Sequence, residues 1–369
     1  MRYLSKNYLI FIILGTAVVS LKAYPTLLIE YGERDTWIAL IFSSLLLLIF
    51  SLIIIKAFSS KADAKLKTIY FRAFGKYLGS FLLWLFILTL ILTLIECTAS
   101  ESSMMSVNIL DRTPAWYLIL FLVIPTTYAI LHGENAMLIL TIIGIFFIFI
   151  SGTNLSILLF AYRKVEYIMP IMRNGFSKNF IICIFKGLAM LSGFGILLPF
   201  IYKVKSRDKI KTPIIIGWAL LCQIQVVAMS GLLMTITAPR AVDKYYPRLL
   251  QTQLVNYFNF IESGELYVLF QVIGGWFVKY ILTFYALLII LKQLNINRKY
   301  TFYIVSFCVT ILAYILNTNV LNLFSFIDYY TYISFANFII IPFIASLIVI
   351  IKDYKKSKQD KQEEVETIN

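Results

Sequence analysis

The chain has 369 residues, of which 60% are hydrophobic, 16% aromatic and only 14% charged, with a formal net charge of +14. Soluble domains carry about 25% charged and about 45–50% apolar residues, so this composition excludes a soluble enzyme, a disordered protein and a secreted disulfide scaffold. What it leaves is an all-α polytopic membrane protein, with room for roughly ten transmembrane helices of about 20 apolar residues each.

Hydropathy divides the chain into spans over residues 8–29, 36–58, 78–107, 115–131, 136–162, 180–202, 210–238, 266–294, 300–316 and 330–351. Arg2 and Lys6 precede the first run, and no A-x-A cleavage site follows it, so it is expected to stay as an uncleaved span. Residues 1–351 then form one ten-helix domain, divided into repeats at about 1–165 and 170–351, and 352–369 form a charged cytoplasmic tail, too polar and short to be a domain and expected to be disordered. Lysines and arginines on the side of the termini outnumber those on the other roughly twofold, which places both termini in the cytoplasm. The positive charge is thereby explained by loops, and no nucleic-acid partner is expected. Cys97, Cys183, Cys222 and Cys308 all fall in apolar segments, where they act as small hydrophobes. His132 is the single histidine, so no histidine-based metal site is expected, nor any cofactor. No nucleophile–base pair is visible, and a catalytic role is not expected.

Away from the span ends, three basic residues, Lys22, Lys186 and Lys279, lie within spans. A charge at mid-membrane costs about 2.5–3.5 kcal/mol on insertion scales, so such residues face a cavity or a partner. Lys186 is read as a snorkelling or structural lysine. Glu96 on the third span is a partner for Lys22 or Lys279, and these three are the expected ion-pair or coupling residues. Thr89, Thr93, Glu96, Ser100 and Ser103 share one helical face, as do Trp276, Lys279, Tyr280 and Thr283 on the eighth span. Glu101 is placed near the outer water interface.

Gly15-Thr16-Ala17-Val18-Val19-Ser20, with Lys22 and Pro25 after it, predicts an interruption of the first span. Ser192-Gly193-Phe194-Gly195 followed by Pro199 predicts one in the sixth. Paired interruptions in matching halves point to a transporter-type site, because unwinding frees backbone groups at the midplane. Close packing through small residues is the competing reading of each. The candidate ligand-binding set is Gly15, Thr16, Ala17, Val18, Glu96, Ser100, Ser192, Gly193, Phe194, Gly195, Trp276 and Tyr280. The stretch from Arg248 to Ile261 alternates apolar and polar residues and predicts an interfacial helix.

These motifs in this order resemble the B subunit of spore germinant receptors, a branch of the amino acid–polyamine–organocation superfamily. Gly15 to Leu21 is similar to the first-helix G-T-G-I-L-x-L-P, and Gly193-Phe194-Gly195 with Pro199 to the sixth-helix G-F-E. Tyr246-Pro247, Phe260-Ile261-Glu262-Ser263-Gly264-Glu265, Trp276 and Lys279 are similar to Y-P…F-I-E-R-x-[DE]…W…K. Ala17, Gly195 and Ser263 stand where the family has glycine, glutamate and arginine, and Lys22 falls where its proline sits. The resemblance implies two inverted five-helix repeats and an inner spore membrane location. It also implies a small-molecule, amino-acid-like germinant bound between helices one and six near helices three and eight, with A- and C-type receptor subunits as partners in the bilayer. A proton-coupled amino-acid symporter is the alternative that the paired breaks and buried charges allow, and a membrane scaffold is the third.

Overall fold

The computed structural model describes residues 4–59, 64–108, 110–205, 207–255, 264–296 and 298–368. Among them the chain is helical, with one isolated β-bridge between Leu4 and Val204. In chain order the helices are α1 (Tyr8–Ala23), α2 (Thr26–Gly32), α3 (Thr36–Ser59), α4 (Leu66–Phe74), α5 (Lys76–Asn108), α6 (Ala115–Leu131), α7 (Glu134–Leu158) and α8 (Lys178–Met190). A 3₁₀ segment, Ser192–Lys203, follows. Then come α9 (Lys211–Thr235), α10 (Ala238–Val242), α11 (Pro247–Thr252), α12 (Glu265–Gln293), α13 (Arg298–Leu316) and α14 (Val320–Phe335). A π segment, Ala336–Ile340, joins α14 to α15 (Ile341–Ile368).

Among the described residues seven helical stretches are long and apolar enough to cross a membrane, and three shorter apolar helices lie among them. Their outward faces carry large apolar side chains, including Trp84, Phe121, Phe146 and Phe307. Lipid solvates such a surface at no cost, whereas water does not. The chain is an integral membrane protein.

The core forms around α12, which buries residues on all sides and packs against α1, α5 and α7. Small residues permit the close approach. A Cβ on Gly15 would sit 2.6 Å from Val278, and one on Gly275 would sit 2.8 Å from Val19. This is helix association through small residues, the usual substitute in lipid for a hydrophobic driving force. It makes a specific expectation. Gly275→Ala overpacks the α1–α12 contact and should cost about 1–3 kcal/mol. Next to it, a Cβ on Gly274 meets nothing nearer than Ile148 at 3.8 Å. Gly274→Ala should therefore stabilise the helix by up to about 1 kcal/mol. Thermal melts of the two detergent-solubilised variants check both signs.

Several sequence expectations are corrected here. The first span is not interrupted at Gly15–Ser20. There α1 is continuous, and the break falls after Ala23, at Tyr24 and Pro25. Gly15 serves packing rather than unwinding. The sixth span does change character, from α-helix to 3₁₀ after Met190. Ser192, Gly193 and Gly195 are weak helix formers, and Pro199 removes a backbone donor and clashes with the carbonyl four residues back. The wider spacing of α-helical bonds is lost, and long 3₁₀ runs of this kind mark strained or hinge-like positions.

The tenth span begins earlier than residue 330. Asn319 caps α14, accepting from the backbone of Leu321 at 2.9 Å, and Asp328 and several asparagines hide this helix from a hydropathy window. The tail is not structureless, since α15 continues to Ile368. Its start docks on the amphipathic α4 through Arg72–Asp353 at 2.6 Å and through Lys352 donating to the Arg72 carbonyl at 2.8 Å. The expected interfacial helix is also different. The short α11 is buried against α9 and α12 rather than laid on a surface, while Phe258 and Ile261 lie outside the described residues.

Candidate ligand cavity and its buried ion pair

The polar face predicted on α5 is real and points inward. Thr89, Thr93, Glu96, Ser100 and Ser103 are all buried. Four of its five levels, all but Ser100, meet a different element. Thr89 accepts from the Asn337 amide at 2.7 Å, and Thr93 shares a hydrogen bond with the Tyr330 hydroxyl at 2.8 Å. Ser103 accepts from the Tyr246 hydroxyl at 2.9 Å. A buried hydroxyl without a partner costs its full desolvation, so these pairs fix how α5 faces α14, the π segment after it and the loop before α11.

At the middle of the stripe, Glu96 meets Lys279 of α12. The Lys279 Nζ lies 2.8 Å from Glu96 Oε2, with side chains 2% and 1% exposed. The same ammonium donates to Ser20 Oγ on α1 at 2.8 Å and sits 5.0 Å from the centre of the Trp276 ring. The Tyr24 hydroxyl donates to Glu96 Oε1 at 3.4 Å, and Cys97 Sγ lies 3.7 Å from Oε2. Three helices thus converge on one ion pair. Desolvating two charges costs several kcal/mol per ion, and only close geometry with further donors and acceptors offsets it. All of those are present, with the Trp276 face as an added cation contact.

This pair forms one wall of a cavity. The opposite wall is Ser192 and Gly193 at the start of the 3₁₀ segment, and α14 closes the cavity with Tyr330, Thr331 and Ser334. Ser192 and Ser334 are hydrogen-bonded at 2.8 Å. The 3₁₀ segment comes this near because Gly193 has no side chain: a Cβ there would sit 2.5 Å from the carbonyl oxygen of Thr16. The space enclosed is about 10 Å³, close to the minimum for a single water. The cavity is closed around its polar walls.

Of the residues expected from sequence, Glu96, Ser192, Gly193 and Lys279 line this cavity. Trp276 stands behind Lys279 and against Tyr24, with ring centres 5.8 Å apart. Thr16 supplies its backbone to the Gly193 contact, and its hydroxyl is tied to the Ile12 carbonyl at 2.9 Å. Gly15, Ala17, Val18, Ser100, Phe194, Gly195 and Tyr280 are not among the lining residues. Gly195 packs instead on Phe338, and Phe194 on Trp218. The Lys22 side chain lies outside the described residues, so of the two partners considered for Glu96 the structure gives Lys279. Glu101 is fully buried, not near water. Lys186 is structural: it pairs with Asp328 at 2.8 Å and covers the Tyr31 ring at 4.7 Å.

Sequence reading missed Ser20, Tyr24 and the α14 contribution. A signal existed for α14. Tyr330, Ser334 and Asn337 recur at i, i+4 and i+7, the same polar periodicity that identified α5.

Comparison with known proteins now bears on what this cavity belongs to. A family model described as "Spore germination protein" matches residues 3–323. Spore germination protein XB of Bacillus anthracis is 23% identical over 269 residues, 72% of this chain and 74% of that protein. Among solved structures, a Na+-coupled sialic acid symporter in a substrate-bound, outward-open state aligns with a TM-score of 0.62. The alignment covers 94% of this chain and 88% of the symporter at 10% identity, a likeness of fold.

Proposed function

The chain belongs to the spore germination protein family, and from that premise we propose that it is the membrane subunit of a spore germinant receptor. In this reading it binds a small amino-acid-like germinant in the cavity between α1, the 3₁₀ segment, α5, α12 and α14, and signals to A- and C-type partner subunits. Its architecture is ten spans in two inverted five-helix repeats, with both termini cytoplasmic in the inner spore membrane.

The observation that carries the reading is the ion pair in the cavity wall. Lys279 and Glu96 present one cation and one anion 2.8 Å apart beside an enclosed polar space. A zwitterionic amino acid offers the same two charges in reverse. It enters by partner exchange, its carboxylate to Lys279 and its ammonium to Glu96, so that no buried charge is left unpaired. A space of about 10 Å³ does not hold such a ligand, so binding requires the walls to part. A ligand shifts a conformational equilibrium only by its differential affinity for the two states. A second arrangement with the walls parted around the ligand, beside the closed one, provides that difference, and the α1–3₁₀ contact is the element that moves.

A proton-coupled amino-acid symporter is the second reading, favoured by the likeness to a symporter fold and by a buried carboxylate at the cavity. Two measurements on the purified protein separate the readings. The first is a thermal-shift screen of the common amino acids. A germinant at about 100 times its Kd adds about 2.7 kcal/mol of stability. Its amide and its des-amino acid should each add far less, because each lacks one of the two charges. Equal stabilisation by all three forms contradicts the partner exchange. The second is uptake of the same labelled amino acid into proteoliposomes, where accumulation driven by a proton gradient contradicts a receptor that only senses.

A further inference from the structure

On the other side of α1 from Lys279 is a second and much larger space. A crevice of about 690 Å³ lies between α7 and α9 with α1 as its floor, within the roughly 300–1,000 Å³ typical of small-molecule sites. Along most of its length the walls are apolar, formed by Phe11 and Leu14 of α1, Ile145 and Phe149 of α7, and Val227 of α9. It opens sideways, for Phe149 and Val227 are both exposed on the outer face of the bundle.

The end at which α7 and α9 finish is different in kind. Arg163 and Arg248 line it together. Arg248 is only 8% exposed, and no acceptor is paired with its guanidinium among the described residues. Burial, with Arg163 beside it, pushes this group down to about 10. Arg163 donates through Nη2 to Ser156, while its Nε has no partner among the described residues. Gln225, which shares a small adjoining space with Arg248, is buried with neither amide atom hydrogen-bonded among the described residues. Two neighbouring guanidinium groups in a desolvated site need an anion between them. Guanidinium forks match phosphate oxygens in pairs.

We propose that this crevice holds an anionic phospholipid of the surrounding bilayer, its phosphate between Arg163 and Arg248 and one acyl chain lying along α1. The charge selects an anion, the apolar floor selects a chain attached to it, and the lateral opening gives access from lipid rather than from water. Basic pockets between transmembrane helices take acidic lipid headgroups by the same physics. Val18 reaches the crevice from the helix that also carries Ser20 into the ion-pair cavity, so lipid occupancy bears on the helix that contacts Lys279.

Native mass spectrometry of the purified full chain tests this. The protein is titrated with phosphatidylglycerol, with phosphatidylcholine of the same chains, and with inorganic phosphate. The expected result is retention of phosphatidylglycerol at least about tenfold tighter than phosphatidylcholine, with no phosphate adduct at the same concentration. Arg163→Gln with Arg248→Gln should remove that preference. Ala228→Trp, which fills the crevice from α9 and keeps both arginines, should weaken phosphatidylglycerol by about tenfold as well, and it carries the test if the double variant fails to fold. Equal retention of the two lipids by the unmodified chain, phosphate bound as tightly as phosphatidylglycerol, or undiminished phosphatidylglycerol on Ala228→Trp overturns the proposal.

Discussion

Replacing Glu96 by glutamine or Lys279 by methionine is expected to cost about 3–5 kcal/mol each, and replacing both is expected to cost less than either alone. The reason is burial. Both side chains are almost fully withdrawn from solvent, so a single replacement leaves one ion without its counter-charge inside a bundle that cannot hydrate it. Ser20 and the Trp276 ring remain beside Lys279 when Glu96 is gone, but a hydroxyl and an aromatic face do not neutralise an ammonium. Loss of Lys279 leaves Glu96 with Tyr24 and Cys97, which donate weakly at those distances. The double variant removes both desolvated charges together. Unfolding in detergent, followed by helical circular dichroism across the four proteins of the cycle, reads the coupling directly. Additive costs within about 0.5 kcal/mol would show that the two groups do not act as a pair.

The second large effect is expected at Gly193. A methyl group there meets backbone, the Thr16 carbonyl oxygen at 2.5 Å and its carbon at 3.2 Å. No side-chain rotation relieves such a contact, so α1 and the 3₁₀ segment must separate. Gly193→Ala should cost about 1–3 kcal/mol, and the branched Gly193→Val more. The functional consequence is larger. With these two elements held apart the closed form of the cavity is lost, and with it the difference between states that a ligand exploits. Spores carrying Gly193→Val should assemble the protein and lose the dependence of germination on the amino acid it is proposed to bind. A normal response from that variant, with the protein present in the membrane, would remove the α1–3₁₀ contact from the site.

Much of the fold was legible because lipid imposes a simple rule, that spans be long, apolar and helical. The limits of α6 at residues 115 and 131 and of α3 at residue 36 are where hydropathy places them. Half of the ion pair's identity was legible too, because a charge in an apolar run needs a partner. Which partner was not. Lys22 and Lys279 satisfy the same requirement in one dimension, and only the packing of α12 against α5 distinguishes them. The glycines show a different limit. Gly15 and Gly193 carry the same local signal, a missing side chain in an apolar helix. Gly15 uses it to seat Val278, and Gly193 uses it to bring a 3₁₀ turn against the backbone of α1. Close packing and backbone exposure have one sequence signature between them. For α14 the obstacle was dilution. Asn322 and Asp328 interrupt the apolar run of its first half, ahead of the span read from residue 330. The two arginines of the crevice were counted among loop charges, since nothing in their spacing shows that α11 turns inward.

Hydrogen exchange of the purified full chain, with and without the amino acid that stabilises it, tests the central claim most directly, because it requires no substitution. The account predicts that ligand changes the exchange of backbone amides in the first turns of the Ser192–Lys203 segment, at the end of α1 and in α14 around Tyr330. Changes confined to the α7–α9 crevice, or a bound ligand that leaves those three segments unaltered, would contradict it.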